Sequence, residues 1–512
     1  MPRFPLVLLY STDEPQGKFG VSIDKELITV KGRELPPPGI GYRGAGPVTP
    51  ENGGWLMKKV KVLKPGRPIE TWTYLLVGTD ADKDLLKATV GEFAVFMSRN
   101  MGINITPKPS LVANVGPTVT DNEPALRAAF KQLAAQPRRP EFVLVVLGAK
   151  STATYNMVKK LADVDFGFPT VCVVQNKLLQ SQGQMGYFAN VGLKVNLKFG
   201  GVNHSIKDIE HMKANKRMFV GYDVTHPTNL GPGAANAPSI VALVASVDGD
   251  LAQWPAATWQ NPPRQEMVEK VFVEHFKGRL KLWQSKNQNR LPDDLVIFRD
   301  GVSEGQFTTV LKDELPFIRQ ACQELYPAGR VPRIALIVSV KRHQTRFYPT
   351  DPAHAPGKSK SPRQGTVVDR GVTNVRYWDF FLQAHASLQG QYFSCVLVIV
   401  FIDQHTCSGT ARPAHYTVLL DEIFRPDHGA KAADVLEKLT HDMCYLYGRA
   451  TKAVSICPPA YYADLACTRA RIHKHELFED DGFSDTSSQQ GRRQDAEGRN
   501  VHENLKNTMY YI

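Results

Sequence analysis

The sequence predicts an α/β protein built from two sheet-centred units in series. Three observations lead there. The 512 residues exceed what one hydrophobic core usually serves, so two to three domains are expected. From about residue 61 to 205, apolar runs alternate with amphipathic helical segments, the signature of a parallel sheet with helices on both faces. From about residue 206 the order changes to consecutive strands, a long helix and then strand–helix alternation.

Residues 1 to about 60 carry no long periodic segment, and the Pro/Gly-rich string PPPGIGYRGAGPVTP (Pro36–Pro50) reads as a connector draped over a domain. Thr71–Thr79 is a buried-strand run, and the next segment sets Leu86, Val90, Phe93 and Met97 on one helical face. Asn122–Gln136 reads as a helix, Phe142–Ala149 as a strand, Thr152–Leu161 as a helix, Thr170–Val174 as a strand, and a further helix starts near Gly186. Ligands on such sheets bind at the carboxyl ends of the strands. In the second unit MFVGYDV, PSIVALVASVDG and the Trp254–Trp259 region suit antiparallel pairing, and Val268, Phe272, Phe276 and Leu280 line one helix face. A strand at Leu295–Asp300, a helix at Glu304–Leu325 and a strand at Arg333–Val340 complete the order of an RNase H-like fold. Glu476–Asn504 is polar and reads as a mobile surface loop.

A net charge of +12 and a pI near 9.2 favour a polyanionic partner, although many basic proteins bind no nucleic acid. Seven cysteines without a CxxC pair argue against a zinc site and a disulfide framework, and point to a reducing compartment. Met1–Leu9 has no small-residue cleavage signal, and the longest aliphatic run, Cys395–Ile402, falls far short of the roughly 20 residues a membrane helix needs. The expectation is a soluble, cytoplasmic protein, with a nuclear pool allowed and no membrane partner.

Two apolar strands end on an aspartate, in YDVTHP (Tyr222–Pro227) and FRDGVSEGQF (Phe298–Phe307). Mg²⁺ prefers hard oxygen ligands, and two such carboxylates can hold metals roughly 3.5–4 Å apart across a phosphodiester. One strand-end Asp is usually a cap or turn residue. The pair in these strings points to phosphoryl chemistry. His226 and His415, each beside a proline, read as structural, and Glu304 as a first-turn helix residue.

These strings, together with FGVSIDKELITVKGRELPPP (Phe19–Pro38), LKVNLKFGGVNH (Leu193–His204), KRHQTRFY (Lys341–Tyr348), GTARPAHYTVLLDE (Gly409–Glu422), PPAYYADLACTRARIH (Pro458–His473) and the terminal TMYYI, run nearly end to end. Through them the chain resembles the C-terminal half of an Argonaute, in loop style a fungal quelling-type one. The resemblance implies an inter-domain linker at 1–60, a Rossmann-like MID domain at 61–205 and an RNase H-like PIWI domain at 206–512. It has no counterpart to the N-terminal and PAZ domains, so it implies a fragment in which cleavage is weakened. The implied function is small-RNA-guided silencing: MID binds the 5′-phosphate of a small guide RNA, and PIWI cuts the complementary target RNA with Mg²⁺ or Mn²⁺. The rival is a non-cleaving guide-RNA-binding scaffold that recruits silencing partners the sequence does not identify. An intact carboxylate set favours the enzyme. A transposase or integrase of the same fold leaves the lysines of the first unit unexplained.

By this resemblance the catalytic set is Asp223, Glu266, Asp300 and Asp464. Asp223, Asp300 and Asp464 are the implied metal ligands, and Glu266 orders the attacking water. Some relatives carry His at the fourth position. Glu266 also fits a solvated residue at a helix N-terminus. Tyr155, Lys159, Lys194 and Lys198 match residues that hold the guide 5′-phosphate, each pair spaced i, i+4 on a helix. Alone, each lysine pair reads as a solvated face. An aromatic ring among lysines suits a terminal nucleotide, and Arg469 matches an arginine that adds its fork to the same phosphate. Val171 stands where many relatives have a glutamine and cannot donate a hydrogen bond, which leaves that place to a cation or a water. Lys341, Arg342, His343, Arg346, Tyr447, Arg449 and Lys452 match positions that grip guide phosphates, fixing register while base pairing reads sequence. Gly148–Thr154 (GAKSTAT) reads as the base-facing loop.

One stretch departs from the family pattern. Gln391–Gly409 splits a string that relatives run without interruption, and its glycine borders repeat as Gly390 and Gly409. Its apolar, β-branched composition is poor surface material. It is either an extra strand or a translated intron, and the uninterrupted flanking motif favours the intron. Sequencing the mature transcript across codons 385 to 415 is expected to show a message without these codons; a message that retains them rules out the intron.

Overall fold

Buried apolar runs assemble the first unit around a wholly parallel, four-stranded sheet, ordered Thr118–Val119, Trp72–Val77, Phe142–Leu147, Thr170–Val174. Every residue of Phe142–Leu147 is buried, as a central strand covered on both faces requires. Strand alternation sends Leu144 and Val146 toward Leu86, Val90, Phe93 and Phe188. Val143 and Val145 face Leu126, Phe130, Leu133 and Val158 on the other side. Asn122 and Ser151 start the two helices of that second layer by accepting backbone N–H bonds from Ala125 and Thr154. This computed structural model describes residues 3–6, 27–57, 59–109, 118–213, 216–227, 237–355, 361–386, 411–478 and 498–512. Gln391–Gly409 and most of Glu476–Asn504 lie outside the described residues.

The second unit is a nine-stranded mixed sheet, in the order Ala256–Asn261, Ser239–Ala245, Arg217–Thr225, Asp294–Asp300, Arg333–Val340, Ala414–Asp421, Trp378–Gln383, Thr366–Val368, Arg33–Glu34. The first three strands are antiparallel, and Arg217–Thr225, Asp294–Asp300 and Arg333–Val340 then run parallel. That is the RNase H-like arrangement expected from the element order. In the segment expected to be a connector, Arg33–Glu34 pairs with Thr366–Val368 as the last strand of the sheet. Arg33 forms ion pairs there with Asp434 and Glu437.

The expected helix Glu304–Leu325 is not continuous. A 3₁₀ turn (Glu304–Gln306), a short α turn and a π turn (Val310–Glu314) precede the regular helix Leu315–Leu325. Pro316 in the first turn of that helix has no N–H to bond back and its ring crowds the turn before it, which disfavours a continuous α-helix through this point. Val268 precedes the long helix Val271–Lys286 rather than lying in it, yet it is buried in the same core. The five described cysteines are free, and no helix among the described residues is long and apolar enough to cross a membrane.

The helix Pro458–His473 crosses the face of the sheet against Arg217–Thr225 and Ser239–Ala245. The approach is closest at Gly221, where an added Cβ would come 2.1 Å from the carbonyl oxygen of Pro459. Only backbone movement could relieve that clash. Gly221→Ala is therefore expected to lower stability by about 1–3 kcal/mol, the usual range for overpacking. Urea denaturation followed by circular dichroism measures it, and an unchanged midpoint contradicts this close packing.

Candidate functional site

Parallel pairing of Arg217–Thr225 with Asp294–Asp300 brings Asp223 and Asp300 to the same sheet end. Gly301, at φ +85°, turns the chain away immediately afterwards. A side chain there would be strained and would lie 3.6 Å from Asp223 Oδ1. Asp464 arrives from the helix Pro458–His473. Burial first, then the charges of Asp300 and Asp464, push the Asp223 carboxyl well above its ordinary range. Burial and Asp464 push Asp300 up to about 7, and burial raises Asp464 against the opposing pull of Arg342 and Lys341. Asp223 and Asp300 thus feel the neighbouring carboxylates as well as burial. Their all-oxygen donor set suits a hard divalent cation. Among the described residues, however, no three His, Cys, Asp or Glu side chains are arranged to hold a metal ion as they stand.

Glu266 is not a solvated helix-end residue. It lies in the loop between Ala256–Asn261 and Val271–Lys286, with Oε2 2.7 Å from His226 Nε2 and Oε1 2.8 Å from Arg299 Nη2. His226 was expected to be only structural; it does hydrogen-bond Ser239 through Nδ1 at 2.8 Å, but its other nitrogen holds Glu266. Sequence reading missed this because the two residues are 40 positions apart and meet only when the strands pair. His415 is structural in the expected sense, paired with Asp379 at 2.6 Å and stacked on Phe381. Glu304 lies in its first turn and accepts from Asn374 Nδ2 at 2.7 Å.

A second, cationic pocket opens where the two units meet. Tyr155, Lys159, Val171, Lys194, Arg449 and Arg469 are among its lining residues. Lys159 is buried and donates to the Thr170 carbonyl and Oγ1 at 2.9 and 2.8 Å, which fixes its ammonium beside the Tyr155 ring. Arg469 donates to Tyr155 Oη (2.8 Å), the Tyr510 carbonyl (3.0 Å) and Asp163 Oδ2 (2.7 Å). Burial would raise Asp163, but Arg469 and His473 hold it well below the usual carboxylate range. Burial, helped by Arg449 and Lys159, pushes the Lys194 ammonium down to about 7. The pocket is therefore short of negative charge.

Lys198 does not join this lining: its Nζ donates to the Tyr510 carbonyl at 2.5 Å and ties the 505–512 segment to the first unit. Arg449, expected along a guide backbone, lies in the pocket wall instead. The other positions expected to grip a backbone are mixed in character. Arg342 is exposed, Lys341 donates to Ser455, and Arg346 donates to the carbonyls of His343 and Thr345. Burial pushes His343 down to about 4, so it is neutral, and both its nitrogens are engaged within the chain by Pro413 and Thr345. Tyr447 is buried against Tyr461 and Tyr462, and the backbone of Lys452 bridges to Gly54. Sequence reading also missed Asp163 and Thr170, which carry no motif and act only by anchoring Arg469 and Lys159.

A family model described as the Piwi domain matches residues 142–404 and 397–475, and one described as the Argonaute linker 2 domain matches residues 6–42. Protein argonaute MEL1 of Oryza sativa subsp. japonica is 32% identical over 534 residues, covering 98% of this chain and 47% of that protein. The chain spans about half the length of the curated relatives it matches. Among solved structures, the MID-PIWI domains of QDE-2 from N. crassa superpose with a TM-score of 0.63 at 42% identity, covering 88% of this chain and 100% of that one. Kluyveromyces polysporus Argonaute with a guide RNA gives a TM-score of 0.76 at 26% identity, covering 95% of this chain and 57% of that one.

Proposed function

This chain belongs to the Argonaute family through its Piwi domain, and from that premise we propose that it is a guide-RNA-dependent endoribonuclease. In this reading residues 61–205 act as the domain that anchors the 5′-phosphate of a small guide RNA, and residues 206–512 cut the complementary target RNA. The observation that carries the proposal is one helix, Pro458–His473, serving both sites: Asp464 joins Asp223 and Asp300, and Arg469 enters the cationic pocket.

Asp223, Asp300 and Asp464 would hold magnesium or manganese, which when bound supplies Lewis-acid stabilisation of charge on the scissile phosphate. Glu266, steadied by His226 and Arg299, orders the attacking water from the loop side. In the pocket Tyr155 offers its ring to the terminal base, while Lys159, Lys194, Arg449 and Arg469 meet the phosphate. Arg449 supplies the extra cation where Val171 has no donor. The exposed Arg342 is the best placed of the remaining basic residues to follow the guide backbone.

Asp223→Ala or Asp300→Ala is expected to abolish target cleavage while leaving guide affinity within about twofold, because the guide is held elsewhere. Cleavage assays beside filter binding separate the two, and slicing at the parental rate removes the catalytic assignment.

The lysines provide an independent test. Lys194 is half neutral near pH 7, and a bound phosphate restores its charge, so binding takes up a proton above that pH. Affinity for 5′-phosphorylated RNA should fall as pH rises through 7, by up to about tenfold per pH unit for one proton. A 5′-hydroxyl RNA should show no such slope. Lys194→Arg should flatten the profile, since guanidinium stays charged. Paired Lys159→Ala and Lys194→Ala substitution should weaken phosphorylated RNA selectively, each contact contributing roughly 1.5–3 kcal/mol. Equal losses for both RNAs would locate the phosphate elsewhere.

A further inference from the structure

The loop that carries Glu266 is fastened by a carboxylate outside the site described so far. Glu314 is 0% exposed and ends the π turn Val310–Glu314. A charge buried this completely is strongly unfavourable unless it is paired and hydrogen-bonded. Glu314 is both. Its Oε1 accepts the backbone N–H of Val268 at 3.0 Å and meets Arg299 Nη2 at 3.3 Å. Its Oε2 accepts the Tyr222 hydroxyl at 2.8 Å and Arg299 Nε at 3.2 Å.

Arg299 is equally buried and stands between two carboxylates. Its Nη2 donates to the Glu266 carbonyl at 2.8 Å and stands 2.8 Å from Glu266 Oε1. Its Nη1 donates to the carbonyl of Asp300 at 2.7 Å. Glu314 therefore reaches the Glu266 loop twice, directly at Val268 and indirectly through a guanidinium that also touches the Asp300 backbone. It also shares the positive charge that would otherwise fall to Glu266. Without Glu314, Glu266 is the remaining ion-pair partner of Arg299 among the described residues. Its carboxylate, already 2.8 Å from Nη2, would then face the whole charge of the guanidinium and be held on it more tightly.

We propose that Glu314 is a positioning residue for the cleavage reaction: by neutralising Arg299 and tying down the Val268 amide, it fixes the Glu266 carboxylate beside Asp223. This rests on the reading of Asp223, Glu266, Asp300 and Asp464 as the cleavage site. Glu314 touches neither target nor metal ligand side chains, so its effect belongs to the rate of the chemical step and not to binding.

The test uses the guide-loaded protein with Glu314→Gln, which keeps the shape and the acceptor but removes the charge. Cleavage at saturating target is expected to fall at least tenfold, since small misplacements of a catalytic group cost this much. The KM for target and the guide affinity are expected to stay within about twofold. Hydrogen exchange of residues 262–268 is expected to speed up in the same variant, a readout that needs no activity. Val268→Pro deletes the amide that Glu314 accepts while leaving both buried charges in place. It is expected to reproduce the rate loss, and it stands in if Glu314→Gln does not fold. Parental cleavage by both variants, while Asp223→Ala is inactive, overturns the positioning role alone. A rise in KM or loss of guide binding equal to the rate loss also overturns it, because that marks general structural damage. Parental cleavage by Asp223→Ala overturns the cleavage site itself, and the role of Glu314 falls with it.

Discussion

Arg469 and Asp163 meet at 2.7 Å with almost no exposure to solvent, and the relative placement of both candidate sites depends on that contact. Neither charge could be buried alone without a penalty of several kcal/mol. Here the guanidinium also finds Tyr155 and the Tyr510 carbonyl, and the carboxylate also meets His473 at 3.1 Å. The first unit contributes Asp163 and Tyr155, and the second contributes Arg469 and His473, so satisfying these charges requires the two units to dock. The helix carrying Arg469 also carries Asp464 five positions earlier, about 7.5 Å along its axis. A single rigid element therefore sets the distance between the cationic pocket and the carboxylates.

The two sites have opposite signs and share one property: each gathers like charges in a buried place. Burial with Asp300 and Asp464 raises the pKa of Asp223, burial with Asp464 raises that of Asp300, and burial raises that of Asp464, while around the pocket the ammonium groups of Lys194 and Lys198 are pushed downward. Such clustering opposes stability, and it is the usual mark of a place prepared for a ligand of the opposite sign. The Arg299–Glu314–Glu266 group follows the opposite rule, with each charge matched inside the protein. Matched charge rigidifies, and unmatched charge binds. The Glu266 loop sits at the boundary of the two, since Glu266 is paired with Arg299 yet adds to the raised pKa of Asp223.

Close packing ties the fold to the chemistry. Gly221 lets the Asp464 helix press onto the strand Arg217–Thr225, which carries Asp223 two residues before its end, and Gly301 lets the chain turn away directly after Asp300. The connector contributes as well, because Arg33–Glu34 completes the edge of the large sheet and Arg33 is anchored by Asp434 and Glu437.

The local pattern of the chain determined most of its elements. Strands such as Phe142–Leu147 and Arg333–Val340 are buried apolar runs, and the Leu86–Val90–Phe93–Met97 stripe lies in the core as its spacing implied, because periodicity is written in neighbouring residues. The strand-end position of Asp300 was legible for the same reason, whereas the strand of Asp223 runs on to Thr225, two residues past the expected end. The break in Glu304–Leu325 was not legible, since the hydrophobic pattern runs on through it and does not register the change from 3₁₀ to α to π turns before Leu315. Tertiary structure alone decided that Lys198 faces the Tyr510 carbonyl, that Arg449 enters the pocket, that His343 is neutral, and that His226 and Arg299 hold Glu266. Each of these depends on which distant groups share a buried space. A side chain's charge and hydrogen-bond partners are fixed by that space, and sequence spacing carries no record of it.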